Sequence, residues 1–184
     1  EIRDNVNGVI NELEKFKNTE KYYYLVRDIQ EFSTPSEKAA RFIFLNQTSF
    51  NGIYRVNLAG KYNVPYGFRT KNFYQPDILL AASAALKNAE IFTCDFTSIL
   101  PNIQESDLIF LDPPYTVSHY NNGFIKYNSK LFSELDQKKL SQLIQDIKEI
   151  GAFYIMTNAD HFLVHEIFKE NRDHYKTEER ASLI

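Results

Sequence analysis

Apolar residues recur at helical spacing where the chain opens: Ile2, Val6, Val9, Ile10, Leu13 and Phe16. Steps of three and four return to one face of a helix, so this run predicts an amphipathic helix. Tyr22 to Phe32 predicts a second, with Leu25, Ile29 and Phe32 inward. Thr34-Pro35-Ser36-Glu37 has the form of a capping box with proline in the first turn. It predicts a helix that runs to about Leu45. From Asn46 to Tyr74 the periodicity disappears. Asn51-Gly52, Ala59-Gly60, Pro65 and Tyr66-Gly67 punctuate this stretch, which predicts an irregular, hairpin-like insert rich in Phe and Tyr.

The second half alternates. Pro76-Asp77 opens a helix through Lys87, and Glu90 to Cys94 reads as a strand. Asp107 to Leu111 is a short apolar run that reads as a buried strand, and Pro113 and Pro114 forbid its continuation. A polar loop spans Thr116 to Lys130. Ser133 to Ile150 is amphipathic, with Leu140, Leu143, Ile144, Ile147 and Ile150 inward. Ala152 to Met156 predicts a strand, His161 to Lys169 a short helix, and Lys176 to Ile184 contains a last strand. Strands alternating with helices imply an α/β fold with a mainly parallel sheet. The boundary is placed between a helical and hairpin lobe, 1–75, and a sheet-bearing segment, 76–184.

Composition narrows the class. With 184 residues, 43% of them hydrophobic, the chain can bury one ordinary core and a small lobe. No apolar run reaches the length of a membrane span, and no basic-then-apolar leader opens the chain, so the expected location is cytoplasmic, with no membrane partner. The single Cys94 reads as a small core hydrophobe. Net charge is −3, but its distribution is uneven. Lys38 to Pro76 holds six basic residues (Lys38, Arg41, Arg55, Lys61, Arg69 and Lys71) and no acidic one. A basic segment on an acidic body predicts one face aimed at a polyanion.

The chemistry centres on Asp112-Pro113-Pro114-Tyr115, at the carboxyl end of the apolar run 108–111. In open α/β sheets ligands sit at that edge. An exocyclic amine such as that of adenine is a poor nucleophile because its lone pair is delocalised into the ring. A carboxylate from Asp112 and a carbonyl from Pro113, both accepting N–H groups, would free that lone pair. The prolines stiffen the array and Tyr115 offers a face for stacking a base. His161 and His165 stand four apart on a predicted helix, but no carboxylate lies between them, and no metal is expected.

Two stretches together resemble the Dam-type, or alpha-group, DNA adenine N6-methyltransferases. One is Asp112-Pro113-Pro114-Tyr115. The other is Leu45 to Asn57, followed by Gly60-Lys61-Tyr62-Asn63-Val64-Pro65-Tyr66-Gly67, which looks like the family's target-recognition hairpin. The resemblance implies a Rossmann-like S-adenosylmethionine-dependent sheet beside a small recognition lobe. It implies methyl transfer to N6 of a flipped adenine in a short duplex DNA site, often GATC, with a restriction endonuclease as one possible counterpart. Residue by residue, it assigns Asp112, Pro113, Pro114 and Tyr115 to catalysis. Phe50, where the family more often has Tyr, becomes an aromatic wedge in the duplex stack. Asn51 and Gly52 shape its turn, Ile53 touches a thymine methyl, Arg55 reads a guanine, and Asn63 and Pro65 face DNA. Asp95, Phe96 and Asp112 would contact the cofactor.

The chain departs from the family pattern in one respect. No two of its six glycines are near neighbours, so the glycine-rich cofactor loop has no match. The expectation is therefore a piece of a longer protein with an incomplete cofactor site. Its opening helix should turn Val6, Ile10 and Leu13 towards missing elements, leaving an apolar patch near the sheet edge. The loop 116–130 is placed to close over a flipped base. Two other functions fit the same residues: an RNA adenine or guanine amino-methyltransferase, and a DNA-binding remnant without catalysis.

Overall fold

The computed structural model describes residues 1–70, 72–115, 132–171 and 175–178. They form two compact units that divide between Ile91 and Phe92. The expected loop 116–130 and Lys71 lie outside the described residues, as does most of the expected last strand; residues 175–178 have no regular structure.

The first unit is built on four helices: α1 (Val6–Glu14), α2 (Glu20–Asp28), α3 (Pro35–Thr48) and α4 (Pro76–Leu86). The capping box forms as its residue types require. The Thr34 hydroxyl accepts the Glu37 N–H at 3.2 Å, and the Glu37 carboxylate accepts the Ser33 and Thr34 N–H groups. Helix α3 then runs one turn beyond its expected end. Its buried face, Ala40, Phe44 and Leu45, meets Val9 and Leu13 of α1 and Tyr23 and Val26 of α2. Helix α4, which the sequence places at the start of the 76–184 segment, packs on α1 within this unit.

Two expectations change here. In α2 the inward residues are Tyr23 and Val26, while Leu25 and Ile29 are exposed. The aromatic ring wins the interior because its hydroxyl finds a partner there, donating to the Val64 carbonyl at 2.9 Å. Burial pushes the Tyr23 phenol well up. In α1, Leu13 is fully buried in the unit's own core rather than turned towards anything absent.

In the second unit the first strand is β1 (Leu108–Leu111) and the second β2 (Phe153–Met156). They pair in parallel, from Leu108 opposite Phe153 to Leu111 opposite Met156. The crossover carries α5 (Glu134–Ile150), and α6 (Phe162–Ile167) follows β2. Leu140, Leu143, Ile144 and Ile147 of α5 are buried over Ile109, Leu111, Tyr154 and Met156. The other sheet face, Leu108, Phe110, Phe153 and Ile155, is exposed. The expected strand 90–94 does not form among the described residues. Its residue types suit a strand, but a strand is held by a hydrogen-bonded neighbour, and Ile91 and Phe92 stand exposed without one. Cys94 is likewise exposed rather than core.

Candidate active site and nucleic-acid interface

β1 ends where two prolines remove the N–H donors a ladder needs. Asp112, the residue immediately beyond, is exposed; Pro113 is buried, and Pro114 and Tyr115 are exposed. The backbone ladder runs one bond past the last register pair, with the Thr157 N–H donating to the Leu111 carbonyl at 3.0 Å. The Thr157 hydroxyl donates to Oδ1 of Asp112. Asn158 follows. Its Nδ2 donates to Oε1 of Gln137 at 3.2 Å, and Gln137 is buried on α5. The acidic end of β1 is thus tied through the turn after β2 to the helix that covers the sheet. A cavity of about 190 Å³ opens beside this turn, lined by Met156, Asn158, Asp160, Val164, His165 and Phe168 among others, but not by Asp112 or Tyr115.

Asp95 and Phe96 lie at the start of a 3₁₀ turn, Phe96–Asn102. Oδ1 of Asp95 accepts from the Thr97 hydroxyl at 2.6 Å and from its N–H at 3.0 Å. The hydroxyl bond first, and the N–H bond second, hold this carboxyl below its ordinary range. Phe96 is half-buried and packs against Phe132, ring centroids 5.8 Å apart. An exposed, ionised acid beside a packed ring suits an amino-bearing aromatic such as adenine. No hydrogen bond joins the pair to Asp112 among the described residues.

In the first unit the segment after α3 folds back on itself. Ser49 pairs antiparallel with Tyr66, and Val56 with Tyr62. The Phe50 N–H donates to the Pro65 carbonyl at 2.9 Å, so these two expected DNA-facing residues sit side by side. Between them Asn51 and Gly52 adopt left-handed backbone, φ +54° and +63°, where Asn and Gly are the tolerated residues. Phe50 projects from this turn half exposed. Gly67 lets the strands approach: a Cβ there would stand 2.4 Å from the Ser49 carbonyl oxygen. Ile53 is half-buried.

Arg55 and Asn63 meet across the hairpin. Nε of Arg55 donates to Oδ1 of Asn63 at 2.8 Å, and Nη2 to its carbonyl at 3.1 Å. The basic residues are not equivalent. Arg41 turns inward, its Nε and Nη2 donating to the Val26 and Arg27 carbonyls at the end of α2. It serves that helix terminus rather than a polyanion. Arg69 lies along the turn, its guanidinium 3.5 Å from where a Gly52 Cβ would be. Lys61 is exposed.

His161 and His165 serve local structure. Nδ1 of His161 accepts the Leu163 N–H at the start of α6, and His165 meets Asp160 at 2.5 Å. No cluster of metal-ligating side chains occurs among the described residues. Nor is any described helix long and apolar enough to cross a membrane. Sequence reasoning passed over Thr157, and it placed Gly67 in the hairpin without a role of its own. Thr157 could have been found as the residue that follows β2 as Asp112 follows β1, and Gly67 as the glycine facing the Asn51-Gly52 turn.

Similar proteins are named as methyltransferases or methylases, and two of the three below are named for adenine. A Type II methyltransferase of Methanocaldococcus jannaschii is 29% identical over 86% of this chain and 60% of its own length. A DNA adenine methylase of Haemophilus influenzae is 29% identical over 91% of this chain and 61% of its own length. A DNA N-6-adenine-methyltransferase of Escherichia phage P1 is 33% identical over 84% of this chain and 21% of its own length. The chain therefore spans about three fifths of the first two relatives. The profile of the D12 class N6 adenine-specific DNA methyltransferases matches residues 1–183, and the chain belongs to that family.

Proposed function

We propose that this chain carries the target-recognition lobe and catalytic tetrapeptide of an S-adenosylmethionine-dependent DNA adenine N6-methyltransferase. It acts in the cytoplasm on a short, GATC-like duplex site. The observation that carries the reading is Asp112 at the carboxyl edge of parallel strand β1, followed by a buried proline. An acceptor on a strand end stiffened by Pro113 and Pro114 is already in place before the base arrives. Asp112 and the Pro113 carbonyl accept hydrogen bonds from the two N–H groups of adenine N6, and the nitrogen lone pair turns out of the ring to take the methyl group, after which one of the two protons leaves the nitrogen for solvent. Tyr115 stacks on the extruded base. S-adenosylmethionine supplies an electrophilic methyl group on a positively charged sulfur. Asp95 accepts the amino group of its adenine, Phe96 packs alongside, and the sheet is the central part of a Rossmann-like fold.

The hairpin meets the duplex. Phe50 fills the gap left by the flipped base, Ile53 and Pro65 contact the groove, and Arg55, held by Asn63, pairs with guanine O6 and N7. A Type II methyltransferase among the relatives supports a restriction endonuclease counterpart. The test is transfer of labelled methyl from S-adenosylmethionine to unmethylated plasmid by the intact protein. Asp112→Ala should abolish transfer and leave DNA affinity within a few-fold. Turnover by the variant equal to that of the parent would sink the assignment.

A further inference from the structure

Among the expected site residues Asp112 is the one whose orientation matters most, and it does not hold itself. It is exposed, on the first residue beyond a strand. A carboxylate there can turn about its side-chain bonds unless something fixes one oxygen. The neighbouring strand does so twice. The Thr157 N–H holds the Leu111 carbonyl at 3.0 Å, fixing the backbone just before Asp112. The Thr157 hydroxyl then donates to Oδ1. Thr157 is itself anchored, because the next residue, Asn158, bonds Gln137, which is buried on α5, and Oδ1 of Asn158 accepts the Ala159 N–H at 2.8 Å.

We infer that Thr157 is the positioning residue of the reaction: its hydroxyl occupies Oδ1 of Asp112 and so presents Oδ2 to the adenine N6–H. The inference rests on the methyl-transfer reading above. A threonine hydroxyl has one hydrogen, and it is spent on Asp112, so Thr157 donates nothing to the substrate. A β-branched side chain has few rotamers, which keeps that hydroxyl in place. The oxygen left open is then the same one in every turnover. With the hydroxyl gone, either oxygen can face the base and the carboxylate samples orientations that do not meet N6.

The intact protein, labelled S-adenosylmethionine and unmethylated plasmid DNA separate the possibilities. Thr157→Val keeps shape and removes the donor. It should lower kcat roughly ten- to a hundredfold, the worth of one hydrogen bond to a charged group, with KM for DNA and thermal midpoint nearly unchanged. Thr157→Ser restores the donor and should recover most of kcat. If Thr157→Val does not fold, Thr157→Cys, a weaker donor of similar size, carries the test and should show an intermediate kcat at unchanged KM. A kcat for the donor-less variant within twofold of the parent overturns the inference, as does a Thr157→Ser variant as slow as Thr157→Val. A parent protein that transfers no methyl group fails at the earlier step and overturns the function itself.

Discussion

Arg55 shows how one side chain is prepared by another. A long cation loses rotamer freedom when it binds, and the two bonds that Arg55 donates to Asn63 remove part of that loss beforehand. Arg55→Ala should therefore cost about 1–3 kcal/mol of discrimination at one base pair, read by methylation rates on duplexes that vary at each position. Asn63→Ala should reduce the same discrimination by less, with its sign and position unchanged. If Arg55→Ala weakened all duplexes equally, the residue would be a phosphate contact instead. The sequence made Arg55 legible through the pattern around Asn51-Gly52. It did not show the Asn63 clamp, since that bond depends on which residues face each other across the hairpin. Thr157 was hidden for the same reason: a threonine after a strand is ordinary until the register with β1 is known.

Among the elements, α5 and α3 were the most legible. In α5 the spacing of Leu140, Leu143, Ile144 and Ile147 is the face that is buried. Ile144 is fully buried among these neighbours, so Ile144→Ala should cost about 2–5 kcal/mol in denaturant unfolding. The start of α5 gives a pH prediction. The Ser133 N–H donates to Oδ2 of Asp136 at 2.9 Å and its hydroxyl at 2.7 Å, and these bonds, the backbone one first, hold the carboxyl below its ordinary range. A carboxyl lowered in the folded state adds stability above its ordinary pKa, near 3.9, and loses it as pH falls through the lower folded value. Ser133→Ala should move acid unfolding of α5, followed by circular dichroism, to higher pH. Elements whose form depends on neighbours were less legible. The run 90–94 has strand composition without a pairing partner, and in α2 the hydrogen bond from Tyr23 to Val64 decides the inward face against the purely aliphatic pattern.

Taken as a molecule, the chain spans about three fifths of the relatives from Methanocaldococcus and Haemophilus, and it exposes one whole face of its parallel strand pair. Parallel sheets are ordinarily covered on both faces. Here Leu108, Phe110 and Phe153 are each more than 60% exposed, and Ile155 is 51% exposed. The sequence led us to expect a patch near the sheet edge, whereas this apolar surface is a face of the strand pair. An environment-sensitive dye should bind it, and Leu108→Thr with Phe153→Thr should reduce the fluorescence while the thermal midpoint moves little. The charge pattern acts at the same scale. Lys61→Ala should weaken DNA binding alike for all sequences and flatten its dependence on salt.

The two-residue period of β2 has a consequence for the gene that encodes it. Phe153, Tyr154, Ile155 and Met156 are all apolar, so both faces of the strand are written in the same chemical alphabet. An in-frame loss of one codon from this stretch would turn every following side chain over while still offering hydrophobic groups to α5. Such a chain could fold and accumulate, yet Thr157 would no longer stand opposite Asp112. In a library of single-codon deletions, positions 153–156 should be where protein abundance and methylation part company.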